Sequence, residues 1–311
     1  MPVDAQLQGL LTMMQEAGLP KMGSLPAAEI RAMTMMRLPV TTEVKSVRDI
    51  EISGGVGLIP GRLYQPVDAA AGVIVYYHGG GWVIGDLDMV DPMLRILANE
   101  TGCAIVSVDY RLAPEHPFPA AVDDAFAALQ WTAEQRATLT GRADAPLIVM
   151  GDSAGGNLSA VVSQLARDAG GPDLALQVLI YPATEGEVHS AAMHAFDSPL
   201  LDRDEIEWFC DQYIHPDQRS DPRFAPGKAA SLANLPPAVV VTAEYDLLAS
   251  EGRLYVDKLR AAGVKATLLD YDGAIHGFFT MACMMDIGRK AIGDVSRCIT
   301  LEITGDQALA S

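Results

Sequence analysis

The chain has 311 residues, half of them hydrophobic and a fifth charged, with a formal net charge of −18 from 40 acidic against 22 basic side chains. That composition suits a soluble globular protein that buries a full core, long enough for one large α/β domain with a decorating cap or for two small domains. The acidity has the wrong sign for neutralising nucleic-acid phosphates or for settling on an anionic membrane surface, so neither partner is expected.

In chain order, residues 6–17 and 27–37 read as two helices, because apolar side chains such as Leu7, Leu10, Leu11 and Met14 recur at helical spacing. The first twenty residues hold Asp4 and Glu16 and lack a basic start, so no secretory leader is expected. No uninterrupted apolar run reaches the length of a membrane span. Residues 44–52 and 58–64 read as paired strands around Gly54-Gly55. From Gly72 onward, apolar runs at 73–77, 104–108, 147–150, 176–180, 238–242 and 266–269 alternate with helical stretches such as 120–135, 158–169 and 251–262. Repeated β–α–β order predicts a mostly parallel sheet covered by helices.

One segment, 185–226, breaks the rhythm with no clear strand and one helix at 203–214, capped by Asp202 and stopped by His215-Pro216. An insertion after a strand's C-terminal end lies over the face where α/β sheets bind ligands. No linker, repeat or low-complexity tract divides the chain, so a single domain over residues 1–311 is expected, with a cap from about 1–45 and 186–226. The four cysteines, Cys103, Cys210, Cys283 and Cys298, form no CxxC pair and suit free thiols in a reduced cytoplasm.

The chemistry gathers at three places. Gly151-Asp152-Ser153-Ala154-Gly155 satisfies G-x-S-x-G between an apolar strand and a helix, the setting that lifts a serine hydroxyl out of a sheet. A serine needs a base, and the chain order for this arrangement is serine, acid, histidine. His189, His194 and His215 fall in the insertion, whereas His276 follows the last strand and the turn-like Asp272-Gly273. Asp246, just past the strand at 238–242, is the expected acid, with Glu244 and Asp272 as competitors and Asp109 excluded by order. His78-Gly79-Gly80-Gly81-Trp82 then offers N–H donors for an oxyanion, with Gly79, Gly80 and Ala154 as the expected donors. The same glycines miss the dinucleotide spacing by one residue, and Asp86 stands where a phosphate loop needs lysine. No H-E-x-x-H or similar metal set appears, so neither metal nor cofactor is expected.

These motifs, with Asp109-Tyr110-Arg111-Leu112-Ala113-Pro114-Glu115, Phe118-Pro119-Ala120-Ala121, Leu235-Pro236-Pro237 and His276-Gly277-Phe278, resemble the bacterial hormone-sensitive-lipase family of esterases across roughly residues 60–280. The resemblance implies an α/β-hydrolase fold with an eight-stranded, mostly parallel sheet and a helical cap. It also implies short-to-medium acyl esters as small-molecule substrates, and a possible homodimer. The chain departs from the family where Leu247 stands in place of the usual proline after the acid. Amide or lactone hydrolysis would use the same triad, and relatives that bind hormones lack the histidine kept here. The expected pocket residues are Trp82, Met33, Met36, Phe209 and Tyr213, because an N-terminal cap rich in methionine (Met13, Met14, Met22, Met33, Met35 and Met36) could repack around acyl chains of different length.

Overall fold

The apolar runs that read as strands form one sheet. In the computed structural model, which describes residues 2–18, 21–33, 37–55, 57–187 and 198–305, the chain opens with α1 (Ala5–Glu16) and α2 (Ala27–Met33) and enters a hairpin, β1 (Ser46–Gly54) and β2 (Gly57–Gln65). Strands and helices then alternate: β3 (Val73–Tyr77), α3 (Leu87–Thr101), β4 (Ala104–Val108), α4 (Ala120–Glu134), α5 (Arg136–Thr140), β5 (Leu147–Asp152), α6 (Ala154–Ala169) and β6 (Leu176–Ile180). The rhythm pauses for α7 (Arg203–Tyr213). It resumes with β7 (Ala238–Tyr245), α8 (Ala249–Ala261), β8 (Ala266–Ile275) and α9 (Asp286–Thr304).

The sheet order is β1-β2-β4-β3-β5-β6-β7-β8. The β1–β2 and β2–β4 pairs are antiparallel, and every later pair is parallel. Strands β3 to β6 are buried throughout, as continuous apolar runs covered on both faces require. Their side chains alternate between two cores. Val73, Val75 and Tyr77 pack with α4 and α6. Ile74 and Tyr76 pack with α3, α9 and the buried Leu7 and Leu10 of α1. Among the described residues no helix is long and apolar enough to cross a membrane.

Two differences from the sequence reading bear on the site. Strand β8 continues to Ile275, so Asp272-Gly273 lies inside it rather than forming a turn before His276. Gly273 takes a left-handed φ of 74° there, and β7 and β8 slip register between Ala243 and Tyr245 to accommodate it. Helix α7 ends one residue earlier than expected. Its start carries the capping box at Asp202 and Glu205, in which each side chain bonds the other's backbone N–H at 2.9 Å.

Candidate active site

Parallel register decides where the functional residues meet. Tyr77 pairs with Gly151, Asp152 with Ile180, and Val241 with both Ile180 and Leu269. The chain therefore leaves β3, β5, β6 and β7 along one edge, into His78, Ser153, Tyr181 and Asp246, while His276 leaves the longer β8. This is the carboxyl edge at which open α/β sheets bind ligands.

Ser153 occupies the turn between β5 and α6 at φ 55°, a left-handed conformation costly for a residue with a Cβ. Its N–H donates to the Ile180 carbonyl at 2.8 Å, which holds the turn. Gly155 must be glycine, since a Cβ there would run into the Tyr77 carbonyl oxygen. Among the described residues, the non-glycine residues with a left-handed φ are Ser153, Trp82 (60°), Tyr181 (35°) and Asn234 (60°), and the first three stand at this edge.

His276 connects the other two groups. Its Nε2 lies 3.0 Å from Ser153 Oγ, and its Nδ1 lies 2.7 Å from Asp246 Oδ2. A carboxylate only accepts, so Nδ1 carries the proton and Nε2 presents a lone pair to the hydroxyl. The second oxygen of Asp246 accepts the Leu248 N–H at 2.9 Å. Because that bond comes from Leu248, the leucine at position 247 leaves the acid's anchor in place. Burial pulls the His276 pKa down, but the charge and hydrogen bond of Asp246, with the charge of Asp152, outweigh it and leave the pKa above the ordinary histidine value. The competitors are engaged elsewhere. Glu244 accepts the Gly273 N–H at 2.7 Å, and Asp272 is exposed. His215 is exposed on the insertion, and His189 and His194 lie outside the described residues.

The glycine loop corrects one expected donor. The N–H of Gly79 is not free for an oxyanion, because it donates to Asp152 Oδ1 at 2.9 Å. The next two peptides are turned the other way. The Gly79 carbonyl accepts from His78 Nδ1 at 2.7 Å, and the Gly80 carbonyl accepts from Val83 and Ile84 at 3.0 and 2.9 Å. In a trans peptide the N–H points opposite to the carbonyl. The N–H groups of Gly80 and Gly81 are therefore directed away from those partners, and both residues line the cavity beside Ser153 and Ala154. Gly80 stands at φ 111°, where a side chain would be strained and would strike the Ile84 carbonyl. Ala154 opens α6, so its N–H has no partner within the helix. Gly81, which is not among the donors expected from the sequence, thus stands beside Gly80 with its N–H directed away from Val83 and Ile84.

Above Ser153 lies a cavity of about 330 Å³. Leu10, Met14 and Met22 of the N-terminal segment line it, together with Leu200, Ile206 and Phe209 of the insertion. The two segments touch: the Met22 N–H donates to Glu205 Oε1 at 3.2 Å, and Lys21 pairs with Asp202 at 2.7 Å. Of the expected pocket residues, Trp82 and Phe209 line the cavity. Tyr213 does not; it is buried behind Trp82, stacked on it at 4.7 Å and 6°. Met33 does not either, being 51% exposed at the end of α2. Met36 and Met35 lie outside the described residues. Among the described residues no cluster of His, Cys, Asp and Glu could hold a metal ion.

Comparison with known proteins agrees with this architecture. A family profile described as alpha/beta hydrolase fold matches residues 74–280. Carboxylesterase NlhH of Mycobacterium tuberculosis is 45% identical over 243 residues, 76% of each chain. Esterase LipI of the same species is 40% identical over 275 residues, covering 86% of this chain and 85% of that one. The hyperthermophilic esterase of the archaeon Pyrobaculum calidifontis superposes with a TM-score of 0.91 at 38% identity, over 96% of this chain and 98% of the other. The chain belongs to the family IV, hormone-sensitive-lipase-like carboxylesterases of the α/β-hydrolase superfamily, and it is a carboxylic ester hydrolase.

Proposed function

We propose that the ester is hydrolysed by two-step acyl transfer, with Ser153 as nucleophile, His276 as general base and Asp246 as the acid that orients it. His276 Nε2 takes the Ser153 proton as Oγ attacks the ester carbonyl. The imidazolium so formed is stabilised by Asp246. The carbonyl oxygen becomes an oxyanion, for which the N–H groups of Gly80, Gly81 and Ala154 are the donors. His276 returns the proton to the departing alcohol, and water then releases the acid by the same route. The observation that carries this reading is the imidazole joined by one nitrogen to Asp246 and by the other to Ser153, at 2.7 and 3.0 Å. The substrate preference follows from the cavity. Its walls are largely apolar and hold Trp82, Phe209 and Met14. A space of about 330 Å³ suits short-to-medium acyl chains and disfavours bulky triacylglycerols. The N-terminal segment and the 186–226 insertion act as the cap that closes it. Ser153→Ala tests the nucleophile: kcat on a nitrophenyl butyrate should fall about 10⁶-fold with the circular dichroism spectrum unchanged. A folded variant that kept most of its activity would remove Ser153 from the mechanism.

A further inference from the structure

We propose that Asp152 is a positioning residue for this reaction: its side chain clamps the first peptide of the glycine loop and so aims the N–H groups of Gly80 and Gly81 at the oxygen held over Ser153. The proposal rests on the reading of Ser153 as nucleophile.

Asp152 ends β5 and is 5% exposed. Its Oδ1 accepts the Tyr76 hydroxyl at 2.6 Å and the Gly79 N–H at 2.9 Å. The other polar atom of that same peptide, the His78 carbonyl oxygen, accepts the Tyr110 hydroxyl at 2.7 Å. The 78–79 peptide plane is thus gripped at both of its polar atoms by groups that are themselves buried. Peptide planes are rigid, so fixing one fixes where the next begins. The orientation passes through the Gly79 carbonyl on His78 Nδ1 and the Gly80 carbonyl on Val83 and Ile84, which together point the two donors into the cavity. The fit is close, since any side chain at Gly79 would run into the Asp152 carboxylate.

The position of Asp152 in the chain gives the clamp its use. It precedes the nucleophile directly, so the loop that carries the donors is tied to the turn that carries Ser153 through one residue. Tyr76 lies in β3, the strand that feeds the loop. Burying a carboxyl group is unfavourable without partners. Those partners here are the loop's own peptide and the strand beneath it, which is the wiring a device for aligning two loops requires. The Asp152 carboxylate bonds Tyr76 and Gly79 rather than Ser153 or His276, so its influence on the reaction runs through Gly79.

The test compares Asp152→Ala, Asp152→Asn and Tyr76→Phe with the parent enzyme and with Ser153→Ala, reading kcat and KM on a nitrophenyl butyrate and the inhibition constant of an alkyl boronic acid, whose tetrahedral adduct places an oxygen against the same N–H groups. Removing one oxyanion donor outright costs about 10²- to 10³-fold in kcat, so misaiming two by Asp152→Ala should cost roughly 10- to 100-fold with KM nearly constant. Boronate affinity should fall in parallel, which a loss of fold stability alone would not produce. Asp152→Asn keeps an oxygen that can accept both bonds and should restore most of the rate. Tyr76→Phe leaves the Gly79 bond and should give a smaller loss, again in kcat. If Asp152→Ala fails to fold, Tyr76→Phe decides: parental kcat and boronate affinity overturn the clamp. Parental kcat in folded Asp152→Ala, or an Asn variant as impaired as the alanine, also overturns it. An active Ser153→Ala would overturn the reading of the site itself, whereas an inactive Ser153→Ala beside a parental Asp152→Ala would overturn the clamp alone.

Discussion

At the scale of single residues, Asp246 shows how one side chain sets both geometry and pH response. Its Oδ2 fixes the imidazole tautomer, and its charge is the main influence that lifts the His276 pKa against burial. Only neutral imidazole accepts a proton, so activity is low in acid and rises as His276 deprotonates. kcat/KM should therefore climb with pH through an inflection above the ordinary histidine value of about 6.5. Asp246→Asn should lower kcat about 10⁴-fold by favouring the wrong tautomer, and should move the inflection down. A pH–rate profile on both enzymes measures the two effects together; an unshifted inflection, or a near-parental rate with Glu244→Gln inactive, would assign the role to another carboxylate. Ser153, Asp246 and His276 could be picked out in the sequence because each lies within seven residues of the end of an apolar strand run, at 147–150, 238–242 and 266–269, and the order serine, acid, histidine along the chain is fixed. The engagement of Gly79 could not, because its N–H is taken by the side chain of Asp152, a residue 73 positions away.

At the scale of elements, the helices that could be read carry either a clear apolar period, as α4 and α8 do, or a cap and stop, as α7 does. Asp202 and the stop at His215-Pro216 announce α7, and the G-x-S-x-G motif between a strand and a helix marks the entry to α6. Helix α3 carries Pro92 in its interior, which weakens its helical pattern, although Asp86 caps its start by accepting the Met89 N–H at 2.7 Å. Helix α9 has Gly288 and Gly293 in its interior, which dilute its helical pattern. Gly288 is there for contact, since a Cβ would press on the Phe278 carbonyl at 2.6 Å. The role of α1 was only half legible. Leu10 and Met14 face the cavity as a cap requires, but Met13 is 60% exposed. Deleting residues 1–37 removes the buried Leu7 and Leu10, worth about 2–3 kcal/mol each, and opens the cavity wall. The truncated enzyme should lose most of its rate on butyrate esters and bind a hydrophobic dye such as ANS. Full activity with an unchanged chain-length profile would leave the segment no part in the site. Helix α8 carries a second prediction. Burial pushes Glu251 up to about 7, although its carboxylate accepts the N–H groups of Thr184 and Glu185 at 2.7 and 2.8 Å. A carboxyl whose pKa is raised on folding favours the folded state most when protonated. Its contribution is complete below its unfolded pKa of about 4.3 and is lost as pH rises to about 7. Glu251→Gln keeps an acceptor and discards the charge, so Tm should fall less between pH 5 and 8 than in the parent. Parallel Tm curves for the two proteins would contradict this.

At the scale of the whole molecule, the alternating β–α order and the continuous apolar strands fix the layered sheet, and the sheet's register brings residues from positions 78 to 276 to one edge. The sequence patterns could supply the order of the strands along the chain. They could not supply the distances between loops, which arise only when Tyr77 aligns with Gly151 and Asp152 with Ile180. The central claim is that this convergence makes one serine of the chain a nucleophile. The direct measurement is to treat the intact enzyme with a fluorophosphonate, digest it, and locate the adduct by mass spectrometry. A single adduct on Ser153 is predicted, appearing as activity disappears and absent from Ser153→Ala. Labelling of another residue that tracks the loss of activity, or labelling that proceeds equally well in Ser153→Ala, would contradict it.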